Sequence, residues 1–114
     1  MKLNNLQILN IYTVLNNRCE QLSDIKLRWK LAGLSEEIFR IKQRFELEKN
    51  NIIQEYGKED KETKHMTLDA NDKHFKELLN CETEVKPILL SELNDIPLSI
   101  DELLILKPII KDDE

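Results

Sequence analysis

Apolar residues recur every three or four positions along the stretch LRWKLAGLSEEIFRIKQRFELEKNNIIQEYG, which covers residues 27–57. This spacing places them on one face of an α-helix, which we call the seam. The seam consists of Leu27, Leu31, Leu34, Ile38, Ile41, Phe45, Ile52 and Tyr56, with Glu48 as an interruption. It can pack against the protein's own core, against a second copy of the chain or against another protein.

The residues before the seam predict a first helix over residues 3–17, apolar on more than one face and ending at Asn16-Asn17. Ser23 or Asp24 can then cap the long helix, which we expect to end at Gly57. At 1.5 Å per residue it is about 48 Å long, more than a compact domain of this size needs. Gly33 inside it indicates a bend or the close approach of a neighbour.

The chain after the long helix predicts smaller elements. The charged residues 58–64 predict a solvated loop, residues 65–68 a short strand, and Asp69 or Asn71 the start of a short helix. That helix carries the apolar residues Phe75, Leu78 and Leu79.

The last third predicts an extended segment over residues 84–90, which Pro87 confines to an edge position, and then a turn. Ser99 and Glu102 have the spacing of a capping box, so a last helix begins near Ile100. We expect this helix to bury Leu103, Leu104 and Leu106 and to end before Pro108. Residues 111–114 are expected to form a frayed acidic end.

Together these elements predict a single, mainly α domain. We expect an antiparallel helical hairpin with one long helix over residues 1–57 and a charged loop over residues 58–71. A small C-terminal α/β tail over residues 72–110 then supplies a short helix, a strand and the last helix.

Charge is distributed unevenly along the 114 residues, whose net charge is −5. Residues 1–80 carry a net +1, whereas residues 81–114, with three lysines and nine acidic residues, carry −6. An acidic tail argues against direct binding to nucleic-acid backbones and favours a partner with a basic surface.

No motif of a hydrolase, transferase or phosphate-binding loop occurs, so we expect no enzymatic activity and no cofactor. His65, His74, Cys19 and Cys81 match no compact zinc motif, so we expect no metal site. Carboxylates on the long helix alternate with lysines and arginines, which is typical of charge pairing on an exposed face. Without an apolar leader or a membrane-length apolar run, the protein is expected in the cytoplasm, away from membranes, with reduced cysteines.

Trp29 lies off the seam between Arg28 and Lys30. It either packs under the first helix or the tail, or serves as an exposed anchor for a partner, since tryptophan is enriched at binding hot spots. A basic cluster around an aromatic residue also suits single-stranded nucleic acid, but the acidic tail argues against that use. Our candidate partner-binding residues are Trp29, Ile52, Ile53, Tyr56, Asp101 and Glu102.

Several short pieces occur in a fixed order along almost the whole chain. They are Tyr56-Gly57, Phe75–Leu79, Glu84-Val85, Leu90–Leu93, and Leu98-Ser99 followed by Leu103 and Leu106. In this order the chain resembles a family of small uncharacterised bacteriophage and prophage proteins. Pro87 departs from the pattern within the expected strand.

The resemblance implies a helical hairpin with a short α/β tail and no catalytic residues. It further implies a phage-encoded protein in the host cytoplasm that binds a host protein, for instance a defence or nucleic-acid-processing factor, and inhibits or modulates it. The alternative is a virion component or an assembly chaperone. A homodimer is also possible, because a seam of this spacing can form a coiled coil.

Overall fold

The computed structural model describes residues 1–59, 61–69 and 71–112. It is mainly α, with an antiparallel hairpin of one short and one long helix and a small C-terminal α/β tail, as the sequence predicts. The elements are β1 (Lys2–Asn4), α1 (Asn5–Gln21), α2 (Ile25–Tyr56), β2 (Lys58–Glu59), β3 (Met66–Thr67), α3 (Lys73–Asn80), β4 (Glu82–Glu84), β5 (Ile88–Leu89), α4 (Ile100–Leu106) and β6 (Ile110–Lys111). Short 3₁₀ turns cover Leu90–Leu93 and Lys107–Ile109.

Helix α1 begins at a capping box that the sequence analysis missed. The Asn4 side chain accepts a hydrogen bond from the Gln7 backbone N–H at 2.8 Å, and the Gln7 side chain accepts one from the Asn4 N–H at 2.9 Å. The predicted end at Asn16-Asn17 is wrong, because the helix continues to Gln21. Burial of the following residue, Leu22, in the core outweighs the weak preference of asparagine for turns.

Helix α2 starts and ends where the sequence predicts. The Asp24 side chain caps it by accepting hydrogen bonds from the backbone N–H groups of Lys26 and Leu27. The helix ends at Tyr56, and the Gly57 N–H donates to the Ile53 carbonyl. At Gly33 an added Cβ would meet no atom of the described residues within 4 Å, so the predicted close approach of a neighbour there is wrong.

The middle of the seam forms the core of the protein. Leu31, Ile38, Ile41 and Phe45 are buried, and most of them pack with the buried residues of α1, which are Ile8, Ile11, Val14 and Leu15. The ring of Tyr12 on α1 also meets Phe39 edge-on, with 5.1 Å between the ring centroids. The prediction that the seam from Leu31 to Phe45 is intramolecular core is therefore confirmed.

Helix α1 has 17 residues and α2 has 32, so other elements must cover the far end of α2. Helix α3 does so: Phe75 lies 6.4 Å from Phe45 and His74 stacks on Tyr56 at 3.7 Å, between ring centroids. Asp72 caps α3, whereas the sequence analysis favoured Asp69 or Asn71.

Strands β2 and β3 pair antiparallel, with Lys58 opposite Thr67. The predicted strand near Met66 is confirmed, but the segment predicted as a charged loop begins with a strand.

The tail returns to the start of the chain. Strand β4 pairs antiparallel with β1, and β5 pairs parallel with β6. Pro87 lies between β4 and β5, so the predicted extended segment is divided into two strands. Of the predicted frayed end, residues 113 and 114 lie outside the described residues.

The capping box of Ser99 and Glu102 is confirmed at the start of α4. The prediction that this helix buries Leu103 and Leu104 is wrong, since of the described residues of α4 only Leu106 is buried. One side of a seven-residue helix is enough to attach it to α1, which leaves its other apolar side chains outside the core.

The molecule is elongated, measuring 51 × 29 × 22 Å. Its Cα radius of gyration is 16.6 Å, against about 13 Å for a compact domain of this length. Among residues 1–59, 61–69 and 71–112, no helix combines the length and apolar character that crossing a membrane requires.

Candidate protein-binding surface

The exposed side of α4 forms an apolar groove. Ile100 is 77% and Leu104 is 62% exposed, and Leu103 is also exposed. We call this concavity, of about 450 Å³, the α4 groove. Its lining residues are Leu90, Ile100, Leu103, Leu104, Lys107, Ile110 and Asp112.

Contacts at the two ends of α4 fix its orientation, so that these residues face solvent. At its first turn the Glu102 carboxylate accepts hydrogen bonds from the Arg18 guanidinium on α1, one of them at 3.2 Å from Nε, and from the Ser99 N–H at 3.0 Å. At its last residue, Leu106 is fully buried. Ile100 and Leu104, four residues apart, therefore share the side of the helix that faces solvent.

The same contacts determine the charge state of Glu102. The hydrogen bond from the Arg18 guanidinium, followed by the one from the Ser99 backbone, holds the pKa of the Glu102 carboxyl below its ordinary value. Glu102 is therefore charged near neutral pH and paired within the chain.

A second exposed surface lies on α2, opposite the seam. It consists of Ile25, Trp29, Ala32, Gly33 and Glu36, and we call it the Trp29 face. Trp29 is 82% and Ile25 76% exposed, so the alternative that Trp29 packs in the core is wrong.

Two hollows flank the Trp29 side chain. The first, of about 380 Å³, is lined by Cys19, Ile25, Arg28, Trp29 and Ala32. The second, of about 320 Å³, is lined by Trp29, Ala32, Gly33 and Glu36. The bulky side chain of Trp29 thus stands between two hollows that share the small residue Ala32, the second of which also contains Gly33.

The structure separates the candidate residues that the sequence analysis grouped. Ile52 and Ile53 are half-buried near the far end of α2, and Tyr56 is stacked on His74. Trp29 lies 27 residues before Tyr56 in the same helix, about 40 Å away along its axis. Asp101 is exposed next to Ile100, whereas the Glu102 carboxylate is held by Arg18 and Ser99.

Sequence reasoning missed Leu90, Ile100, Leu103 and Leu104 as surface residues. For Ile100, Leu103 and Leu104 the signal was present in the α4 sequence IDELLIL, whose apolar residues surround the helix. A surface helix buries only one side, so some of these residues had to be exposed.

The remaining chemistry of the described residues is sparse. Among residues 1–59, 61–69 and 71–112, no three His, Cys, Asp or Glu side chains come together as a metal site would require. A polar cleft between α2 and the segment before β5 is bridged by the Glu37 carboxylate, which accepts a hydrogen bond from the Lys86 N–H at 3.0 Å. We therefore take the α4 groove as the candidate site.

Comparison of the chain with models of protein families, with curated proteins and with solved structures found no match.

Proposed function

We propose that this protein is a non-enzymatic interaction module that binds another protein through the α4 groove. The supporting observation is the exposure of Ile100, Leu103 and Leu104 around one concavity. Burying apolar surface stabilises a protein or a complex by about 25 cal/mol per Å², and surface that stays in water lacks this contribution. Contiguous exposed apolar patches therefore mark interaction sites. A partner that covers this groove recovers that energy.

The chemistry of the partner follows from the charge around the groove. The C-terminal third of the chain carries a net −6; Asp101 is exposed next to Ile100, and Asp112 lines the groove together with Lys107. We propose a partner segment with apolar anchors and flanking lysines or arginines. Attraction between opposite charges accelerates association and favours such partners over acidic ones.

The resemblance to small phage proteins supports a role during infection of a host cell. On that basis we propose that the protein is phage-encoded, acts in the host cytoplasm, and inhibits or modulates a host protein by occupying its basic surface. Direct binding of nucleic acid is no part of this proposal.

A photo-cross-linking residue at position 104 tests the proposed surface. In host lysate we expect one cross-linked protein from position 104 and none from position 47, because Leu47 is as accessible as Leu104, at 68% against 62% exposed, but lies on α2, away from the groove. Excess unlabelled wild-type protein should compete, and excess Leu104→Glu protein should not. Equal cross-linking from both positions, or equal competition by both proteins, would contradict the proposal.

The alternative function is a virion component or an assembly chaperone. The Trp29 face favours it, because a second exposed apolar surface lets one chain contact more than one neighbour. Cross-linking from position 104 to phage structural proteins, in lysate of infected cells, would support the alternative over a host target.

A further inference from the structure

We infer that the Trp29 face is a self-association surface, on which a second copy of the chain packs antiparallel. The middle of the seam, from Leu31 to Ile41, cannot serve this purpose, because it is occupied by α1 and the tail. The exposed apolar residues Ile25 and Trp29 lie on the opposite side of α2. This inference concerns a different surface from the α4 groove and does not depend on the proposed function.

The shape of the face is self-complementary. Trp29 projects next to the hollow lined by Ala32, Gly33 and Glu36. Small residues let a second helix approach closely, and an added Cβ at Gly33 would meet no described atom within 4 Å. The indole of each copy can therefore enter the hollow of the other, so that a single two-fold contact fills both hollows.

A two-fold axis between Ala32 and Gly33 defines the register. It places Ala32 of one copy opposite Gly33 of the other, and Trp29 opposite Glu36. The indole N–H is a donor without acceptor capacity, and it faces a carboxylate. Glu36 accepts a hydrogen bond from Arg40 at 2.6 Å, and a carboxylate has further lone pairs for the indole of the second copy.

Charge favours the antiparallel direction and a second copy as the occupant. Within residues 25–40, the stretch that overlaps in this register, Lys26, Arg28 and Lys30 precede the small residues, whereas Glu36, Glu37 and one cation, Arg40, follow them. Antiparallel packing brings these three cations of each helix to the stretch of the other that holds Glu36 and Glu37. Parallel packing would set like charges side by side, which is unfavourable.

The experiment combines sedimentation equilibrium with fluorescence of the full chain, since Trp29 is its single tryptophan. As the concentration rises from low micromolar to near millimolar, we expect the mass to move from that of one 13.5 kDa chain towards that of two. Over the same range the Trp29 emission should shift to the blue as the indole leaves water.

Three variants locate the contact. Trp29→Glu removes the indole and Gly33→Leu fills the hollow, so each should weaken the dimer roughly tenfold or more. Leu47→Glu should leave it unchanged, because Leu47 is exposed on α2 about 21 Å from Gly33. Circular dichroism checks that each variant is folded, as expected for substitutions at exposed sites.

The inference is overturned by a monomer over the whole concentration range. It is also overturned by a dimer that persists in folded Trp29→Glu, or by a dimer that Leu47→Glu weakens as much. Partner binding at the α4 groove is measured separately, by cross-linking from position 104. A failure of dimerisation and a failure of partner binding can therefore be told apart.

Discussion

Glu102 contributes to two contacts at once: it completes the capping box with Ser99 and it pairs with Arg18 on α1. The first contact is visible in the sequence, because its residues are three positions apart. The second joins residues 84 positions apart, and no local pattern indicates it. Sequence reasoning therefore predicted the start of α4 correctly but treated Glu102 as free to bind a partner.

Replacing Glu102 with glutamine should lower the free energy of unfolding at neutral pH by about 1 kcal/mol, a magnitude typical of partly buried charged hydrogen bonds. The pKa of Glu102 is lowered in the folded protein. Its contribution is therefore complete above the ordinary pKa of a glutamate and is lost as the pH falls through the lowered value.

Urea unfolding at neutral and at strongly acidic pH checks this prediction. The difference between wild type and Glu102→Gln should vanish in acid. Glu82→Gln, which neutralises an exposed carboxylate on β4, is the control and should change little. A difference for Glu102→Gln that is the same at both pH values would contradict the role of the charge.

Replacing each of the two glycines of the chain with alanine should change the stability of the protein in opposite directions. At Gly57 an added Cβ would lie 2.4 Å from the Ile53 carbonyl oxygen and 2.8 Å from that of Thr67, so Gly57→Ala should destabilise by about 1–3 kcal/mol. At Gly33 the Cβ has room, and Gly33→Ala should stabilise α2 by up to about 1 kcal/mol. Thermal unfolding of both variants at a concentration that keeps the chain monomeric measures the contrast; equal effects would contradict the packing at Gly57.

At the scale of elements, local sequence signals located the starts of α2 and α4 well, whereas the end of α1 and the cap of α3 were predicted wrongly. The seam spacing, Asp24 and the Ser99 capping box predicted α2 and α4 within a residue of their observed starts. The pairing of β1 with β4 was not predicted, because three-residue strands have no periodicity and their partners are about 80 residues apart. The sequence did not predict which apolar residues of α4 are exposed, because their exposure depends on which side of α4 packs against α1.

Helix α3 has no buried residue; it is held by its ring contacts with α2 and by the hydrogen bond that the Asn5 side chain on α1 donates to the Leu78 carbonyl at 2.7 Å. Tyr56→Ala removes the ring that stacks on His74, so the amide protons of Lys73–Asn80 should exchange faster while those of α1 stay protected. Hydrogen exchange with mass spectrometry measures this, with Leu47→Ala as the control. Unchanged exchange in Lys73–Asn80 would show that the stack does not hold α3.

At the scale of the whole molecule, the two ends of α2 differ. The Arg18–Glu102 pair ties α4 to the end of α1, and Cys19 lines a hollow beside Trp29, so both exposed apolar surfaces lie near the turn between α1 and α2. At the other end, α3 packs on Phe45 and Tyr56. Binding by Ile52, Ile53 and Tyr56 stays a prediction, while the geometry favours the end that carries the turn.

The sequence does not predict this difference between the two ends of α2, because the apolar spacing of the seam continues through both of them. Which part of an amphipathic helix stays uncovered depends on the lengths and docking sites of the other elements. Helix α1 and the part of the tail after α3 cover the middle of α2, whereas α3, with eight residues, packs on its far end and leaves Tyr56 partly exposed.

The measurement that tests the central claim most directly is affinity capture with the tagged 114-residue chain from host lysate, with mass and stoichiometry determined on the eluate. Wild type, Leu104→Glu and Leu47→Glu should be compared at equal amounts. The account predicts one basic host protein at a fixed ratio with wild type and Leu47→Glu, and a roughly tenfold loss with Leu104→Glu. Equal recovery with all three proteins, while Leu104→Glu remains folded, would contradict a function that resides in the α4 groove.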